Sequence, residues 1–184
     1  MSIGLAALAG ALAAGCAGSL RVGAAPTVDS NGKWGAVVTL GVALGDTYRQ
    51  GAAAVLVAAD VSGAVDERAG ARGNAGHLGL GVGLDALGEG PRLGFRIGAT
   101  LAGRVVLPTG ASGGAVGARL ALLPVVRAAH HGQRPERCGE SESWTYWHVG
   151  VELSGQYLWG PDARGLFAAG PVLELDTLAL RLCD

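Results

Sequence analysis

The stretch that decides the fold is His77-Leu78-Gly79-Leu80-Gly81-Val82-Gly83-Leu84-Asp85. Large aliphatic residues hold every second position, and Gly, His or Asp the others. A period of two marks a strand whose faces meet different surroundings. The run Arg92 to Arg104 repeats it, with Leu93, Phe95, Ile97, Ala99 and Leu101 on one face. Its other face carries Arg92, Gly94, Arg96, Gly98, Thr100, Ala102 and Arg104. Between the runs lies Gly88-Glu89-Gly90-Pro91, a turn, so the pair reads as a hairpin.

The same alternation extends along the chain in eight segments separated by turn residues. Approximate spans are 20–28, 34–45, 52–62, the two arms of the hairpin, 115–127, 144–159 and 166–182. Asp29-Ser30-Asn31-Gly32 carries an Asn-Gly hairpin signal, and 66–74 is a polar loop. Short, regularly spaced strands predict an all-β sandwich or barrel. By composition alone, 52–66 and 120–130 are also compatible with helix; the alternation of their neighbours favours strand.

Composition sets limits. The chain has 184 residues, 49% of them hydrophobic, with 33 glycines. That length suits one domain. After position 20 no run reaches the roughly 18 apolar residues of a spanning helix. Net charge is −1, and Lys33 is the sole lysine, so there is no basic field for nucleic acid.

Residue type assigns the faces. One face is nearly unbroken Leu, Val, Ile, Phe and Trp. The other mixes Gly and Ala with Asp60, Asp85, Arg92, Arg96, Arg104, Arg119, Arg127, Glu152, Glu174 and Asp176. A wet face would carry Thr, Lys, Ser and Gln, and glycine there only weakens a strand. Inside a narrow barrel, glycine makes room and opposite charges pair. The Gly/charge face is therefore expected inside and the aliphatic face in lipid. The alternative is a soluble barrel or sandwich with the aliphatic face inward. Trp147, Tyr157 and Trp159 share a parity, and 147 to 159 spans ~40 Å of strand, or ~30 Å along the membrane normal at a ~40° tilt. That matches the spacing of two aromatic belts.

On this pattern, positions 20–182 resemble the small eight-stranded outer-membrane proteins of the OmpA/OmpX type. The resemblance implies an eight-stranded antiparallel up-and-down transmembrane β-barrel in the Gram-negative outer membrane. It also implies periplasmic termini and insertion by the barrel-assembly machinery. The chain ends Leu182-Cys183-Asp184, where such proteins usually end on an aromatic residue.

Residues 1–18 read as an export signal and 19–184 as the barrel domain. Leu12-Ala13-Ala14-Gly15-Cys16 resembles a lipobox, making Cys16 a candidate for lipidation; a plain cleaved signal is the other reading. From a periplasmic N-terminus, the loop holding Cys138 falls on the same side as the C-terminus. Topology thus allows a Cys138–Cys183 disulfide in an oxidising compartment, worth about 4 kcal/mol in the chain-entropy picture. Free thiols in a loose tail are the alternative.

No catalytic or cofactor-binding set is expected. His130, His131, Cys138 and His148 fit no zinc spacing. His148, Glu152 and Ser154 share an inner face, but ~20 Å along one strand separates His148 from Ser154, too far for a nucleophile and its base. The interior charges, Asp85, Arg92, Arg96, Arg104, Arg119, Glu152, Glu174 and Asp176, are expected to form structural pairs.

The functional expectation is a non-enzymatic, monomeric outer-membrane barrel. It would have a packed interior, no open pore, and a structural or surface-contact role. Lipid and the assembly machinery are its expected partners; no cofactor, metal or nucleic acid is expected. The alternatives are a soluble periplasmic lipoprotein binding an apolar ligand and a lipid-modifying barrel enzyme. Because Pro26 and Pro171 fall on the first and eighth strands, the closing seam is expected to be the least regularly paired junction. A parity slip between Asp176 and Leu178 suggests a bulge there.

Overall fold

A computed structural model describes residues 16–47, 53–66, 75–90, 92–107, 109–131, 141–161 and 163–181. Eight strands form one closed antiparallel barrel in up-and-down order. They are β1 (Cys16–Asp29), β2 (Trp34–Thr47), β3 (Ala53–Asp66), β4 (Ala75–Gly88), β5 (Leu93–Leu107), β6 (Ala111–His131), β7 (Ser141–Trp159) and β8 (Arg164–Arg181). The two stretches with helix-compatible composition are strands β3 and β6. The strand β1 begins at Cys16, three residues ahead of the boundary expected at 19. Cys138, Cys183 and the 67–74 loop lie outside the described residues.

Register fixes the barrel's dimensions. Stepping sideways from Leu20 leads through Val42, Ala59, Val82, Leu101, Val116, Tyr157 and Gly165. The next step reaches Ser30, one residue past the end of β1, whose amide donates to the Gly165 carbonyl at 2.9 Å. Returning ten residues further along β1 gives a tilt of about 40° and a radius of roughly 8 Å for eight strands. A 14-residue strand at that tilt rises about 35 Å, enough to cross a bilayer's hydrocarbon.

The closing seam is thinner than the other junctions. β1 pairs β8 from Gly18↔Thr177 to Gly23↔Val172, then again from Thr27↔Ala168 to Asp29↔Leu166. The gap spans 24–26 and 169–171, where Pro26 and Pro171 supply no amide donor. The register is the same on both sides of the gap, so the barrel still closes. One register shift lies between Val125 and Arg127 on β6 against β7. Just before it is Pro124, which cannot donate to the ladder.

No bulge interrupts β8. Its pairing with β7 runs unbroken from Ser141↔Arg181 to Leu158↔Arg164. The apparent slip came from placing every leucine outside. Leu178 in fact points inward with Asp176 and is fully buried. It joins Ala17, Ala43, Leu56, Leu87, Leu123 and Val172 in an apolar cluster. This cluster fills the end of the lumen where β1 begins and β8 ends.

Candidate functional site: the charged lumen

Strand parity puts one set of residues in lipid-like exposure and the other in the lumen. Leu80 is 66% exposed and Ile97 54%, whereas Arg96, on the same strand as Ile97, is 1% exposed. The outward aliphatic face continues around the cylinder through Val38, Leu40, Val57, Val82, Leu122, Val151 and Leu173. So large an apolar surface far exceeds the few hundred Å² tolerated by a soluble monomer. Tyr157, Trp159, Trp34 and Phe167 face outward near one rim. Towards the other rim, the Trp147 ring lies under the Arg127 guanidinium, 5.2 Å away.

Inside, three arginines knit seven of the eight strands together. Arg21 Nη2 donates to Asp60 Oδ1 at 2.5 Å, and its Nη1 is 3.2 Å from Glu152 Oε2. Arg119 bridges Asp60 at 2.7 Å and Asp85 at 2.5 Å. Arg96 reaches Asp85 at 2.6 Å, Glu174 in a very short contact, and Asp176 at 3.4 Å. Ser19 joins by donating to Glu174 at 3.1 Å. The chain of contacts thus crosses the lumen from Glu152 to Asp176. A charge taken from water is costly to bury, and each of these side chains has an opposite charge beside it. Glycines create the room: a Cβ at Gly41 would collide with Asp60, and one at Gly98 with Asp85.

The network ends in a smaller cluster towards the end of the barrel where β1 begins and β8 ends. His148 Nε2 is 2.6 Å from Glu89 Oε1 and 3.1 Å from Asp176 Oδ2. All three side chains are wholly buried. Glu89 comes from the turn after β4 and folds back into the barrel mouth. Burial, with the nearby Asp176 charge adding to it and His148 opposing, pushes its carboxyl up to about 7. His148 Nδ1 lies 3.0 Å from the Leu123 carbonyl, and Tyr146 stacks on the ring.

Towards the far rim the lumen holds a cavity of about 70 Å³. Thr39, Ser62, His77, Gly79, Thr100 and Gln156 contribute to its wall. Above it, Leu158 and Leu166 pack with Ala115. Arg104 donates to the carbonyls of Gly114, Trp159 and Pro161, at 3.3, 3.1 and 2.5 Å, tying β5 to the β7–β8 turn.

Of the expected interior charges, Asp85, Arg96, Arg104, Arg119, Glu174 and Asp176 are buried in the lumen, and Glu152 faces it. Arg92 does not belong to this set. It is exposed at the entry to β5, where its carbonyl accepts from the Val125 amide at 3.0 Å. Its parity was right for the lumen, but the strand begins one residue later. Arg127 is also outside, past the register shift that breaks the alternation of β6. Arg21 was missed, although Leu20 and Val22 on either side mark it as inward. Glu89 carried no signal, since periodicity does not govern a turn. His148, Glu152 and Ser154 do share the inner face; His148 meets Glu89 and Asp176, while Glu152 and Ser154 line the cavity.

No family model and no curated protein matches the chain. Among solved structures, it is similar to the beta domain of the Bordetella autotransporter Brka. Identity is 10%, coverage is 89% of this chain and 98% of that one, and the TM-score is 0.35. The inside-out distribution of residues comes from this chain's own barrel and does not depend on that likeness.

Proposed function

We propose that this chain is an outer-membrane β-barrel with a structural or surface-contact role and no catalytic activity. The observation that carries the reading is the pairing of Leu80 and Ile97 on the outer surface with Arg96 in the dry centre. Water rewards the reverse arrangement, and hydrocarbon rewards this one. A soluble lipocalin-like barrel would need its aliphatic side chains inside, and that reading finds no support in the side-chain directions.

The ion-pair belt and the apolar cluster below it stand across the lumen, which favours a barrel that conducts no ions. Surface contact would be made through the connections between strands, the polar stretch 66–74 among them. The outer-membrane environment supplies the lipid partner, and barrel-assembly machinery would deliver the chain to it.

Fractionation and electrophoresis test the proposal. The chain should stay with membranes in carbonate, and the folded band should run differently before and after boiling. Reconstituted into planar bilayers, it should give no conductance steps. Release into the soluble fraction would overturn the membrane reading, and stable single-channel steps would overturn the closed lumen.

A further inference from the structure

We propose that Glu89, His148 and Asp176 form a binding site for a divalent transition-metal ion, with Zn²⁺ the ion the donor set favours. One ligand atom from each residue lies within 4.8 Å of the others. They come from three separate elements: the β4–β5 turn, β7 and β8. Sequence spacing could not reveal such a set.

Three features of the geometry point to a ligand. The first is the histidine's orientation. Its Nδ1 is held at 3.0 Å by the Leu123 carbonyl, which can only accept, so Nδ1 carries the proton. In the neutral ring Nε2 then presents a lone pair to the two carboxylates. Metal-binding histidines are typically fixed in this way, with the remote nitrogen donating to a carbonyl or carboxylate.

The second feature is unmet bonding capacity. His148 Nε2, both Glu89 oxygens and Asp176 Oδ2 are buried without a hydrogen-bond partner. Nε2 stands 2.6 Å from Glu89 Oε1 and 3.1 Å from Asp176 Oδ2. Three ligand atoms crowded into one buried spot suit a single ion held between them. Tetrahedral ligands at 2.0–2.1 Å from zinc lie about 3.3 Å apart, and Nε2 to Asp176 Oδ2, at 3.1 Å, is already close to that spacing, while Glu89 Oε1, at 2.6 Å, would have to draw back.

The third feature is charge. Two carboxylates face one imidazole in a pocket closed to water. Arg96 approaches Asp176 through Oδ1 and leaves Oδ2 for the cluster. A doubly charged ion beside a neutral imidazole would balance Glu89 and Asp176. Imidazole with two carboxylates suits zinc better than magnesium or calcium, which prefer oxygen alone. Three protein donors leave a fourth position for the second Glu89 oxygen or a water. Bound metal would staple the β4–β5 turn to β7 and β8 and close that end of the lumen.

The test uses the full chain, refolded in detergent and stripped with chelator. Titration with ZnCl₂ by calorimetry should show one ion per chain, and Co²⁺ should develop visible absorption of a low-symmetry nitrogen–oxygen site. Zn²⁺ should also raise the unfolding temperature. Glu89 lies outside the strands, so Glu89→Gln keeps the ladder; folding is checked by heat-modifiable mobility. This variant should bind at least about tenfold more weakly and lose the thermal shift, as should Asp176→Asn. His130→Gln, in the same half of the barrel but outside the cluster, should bind like the parent. Absence of stoichiometric binding by the parent overturns the proposal. So does undiminished binding by folded Glu89→Gln, or equal loss in His130→Gln.

Discussion

Gly98 and Asp85 oppose each other across the β4–β5 ladder, and the Asp85 carboxylate occupies the space a Cβ at residue 98 would fill. Arg119 Nε stands 2.9 Å from the same point. The bare backbone of Gly98 thus lets an ion pair lie flat against the barrel wall. Gly98→Ala should displace that pair and destabilise the barrel by about 1–3 kcal/mol, the usual range for overpacking. Gly103, further along β5, has nothing near its missing Cβ and faces outward. Gly103→Ala should be neutral or slightly stabilising. Urea unfolding followed by tryptophan fluorescence measures both, and equal effects would contradict the packing account.

Arg96 is the hub on which Asp85, Glu174 and Asp176 converge. Arg96→Met keeps much of the volume and removes the charge. Leaving buried carboxylates uncompensated should cost about 3–5 kcal/mol. Combining it with Glu174→Gln should recover part of that loss, because one of the stranded charges is gone. A double-mutant cycle in the same unfolding assay reads the coupling; strict additivity would mean the pair is energetically idle.

Depth in lipid should govern substitutions on the outer face. Leu80→Lys sets a charge midway along β4 and should destabilise the barrel in bilayers by about 2–4 kcal/mol. Arg92→Ala, at the exposed entry to β5, should stay within about 0.5 kcal/mol of the parent. Unfolding in liposomes distinguishes the two. A harmless Leu80→Lys would show that this face is not lipid-facing.

The seam should open first. Between Gly23↔Val172 and Thr27↔Ala168 the β1–β8 ladder has no pairs, and an unpaired edge exchanges its amides readily. Hydrogen exchange in micelles should therefore be faster at 24–25 and 169–170 than in the continuous β3–β4 ladder. Uniform protection around the barrel would refute a weak junction.

Much of this architecture was readable from alternation. A strict period of two in 77–85 and 93–101 identifies strands and, with residue type, tells which face is turned outward. It points Asp85, Arg96, Arg119, Glu174 and Asp176 inward, and each of them is buried. It failed where periodicity stops applying. Arg92 sits one residue before its strand, Arg127 follows a register shift, and Glu89 belongs to a turn. It also failed for Leu178, because a greasy residue is equally at home in lipid and in an apolar plug.

The sequence by itself determined the strands, their faces and the inside-out character, because side-chain direction along a strand depends only on local backbone geometry. Tertiary structure alone decided which charges meet. Contacts such as Arg96–Glu174 and Arg21–Asp60 depend on how far each strand is offset from the next. That offset accumulates to ten residues around the closed barrel and sets the height of every side chain in the lumen. Only closure at that height brings Glu89, His148 and Asp176 to a single point.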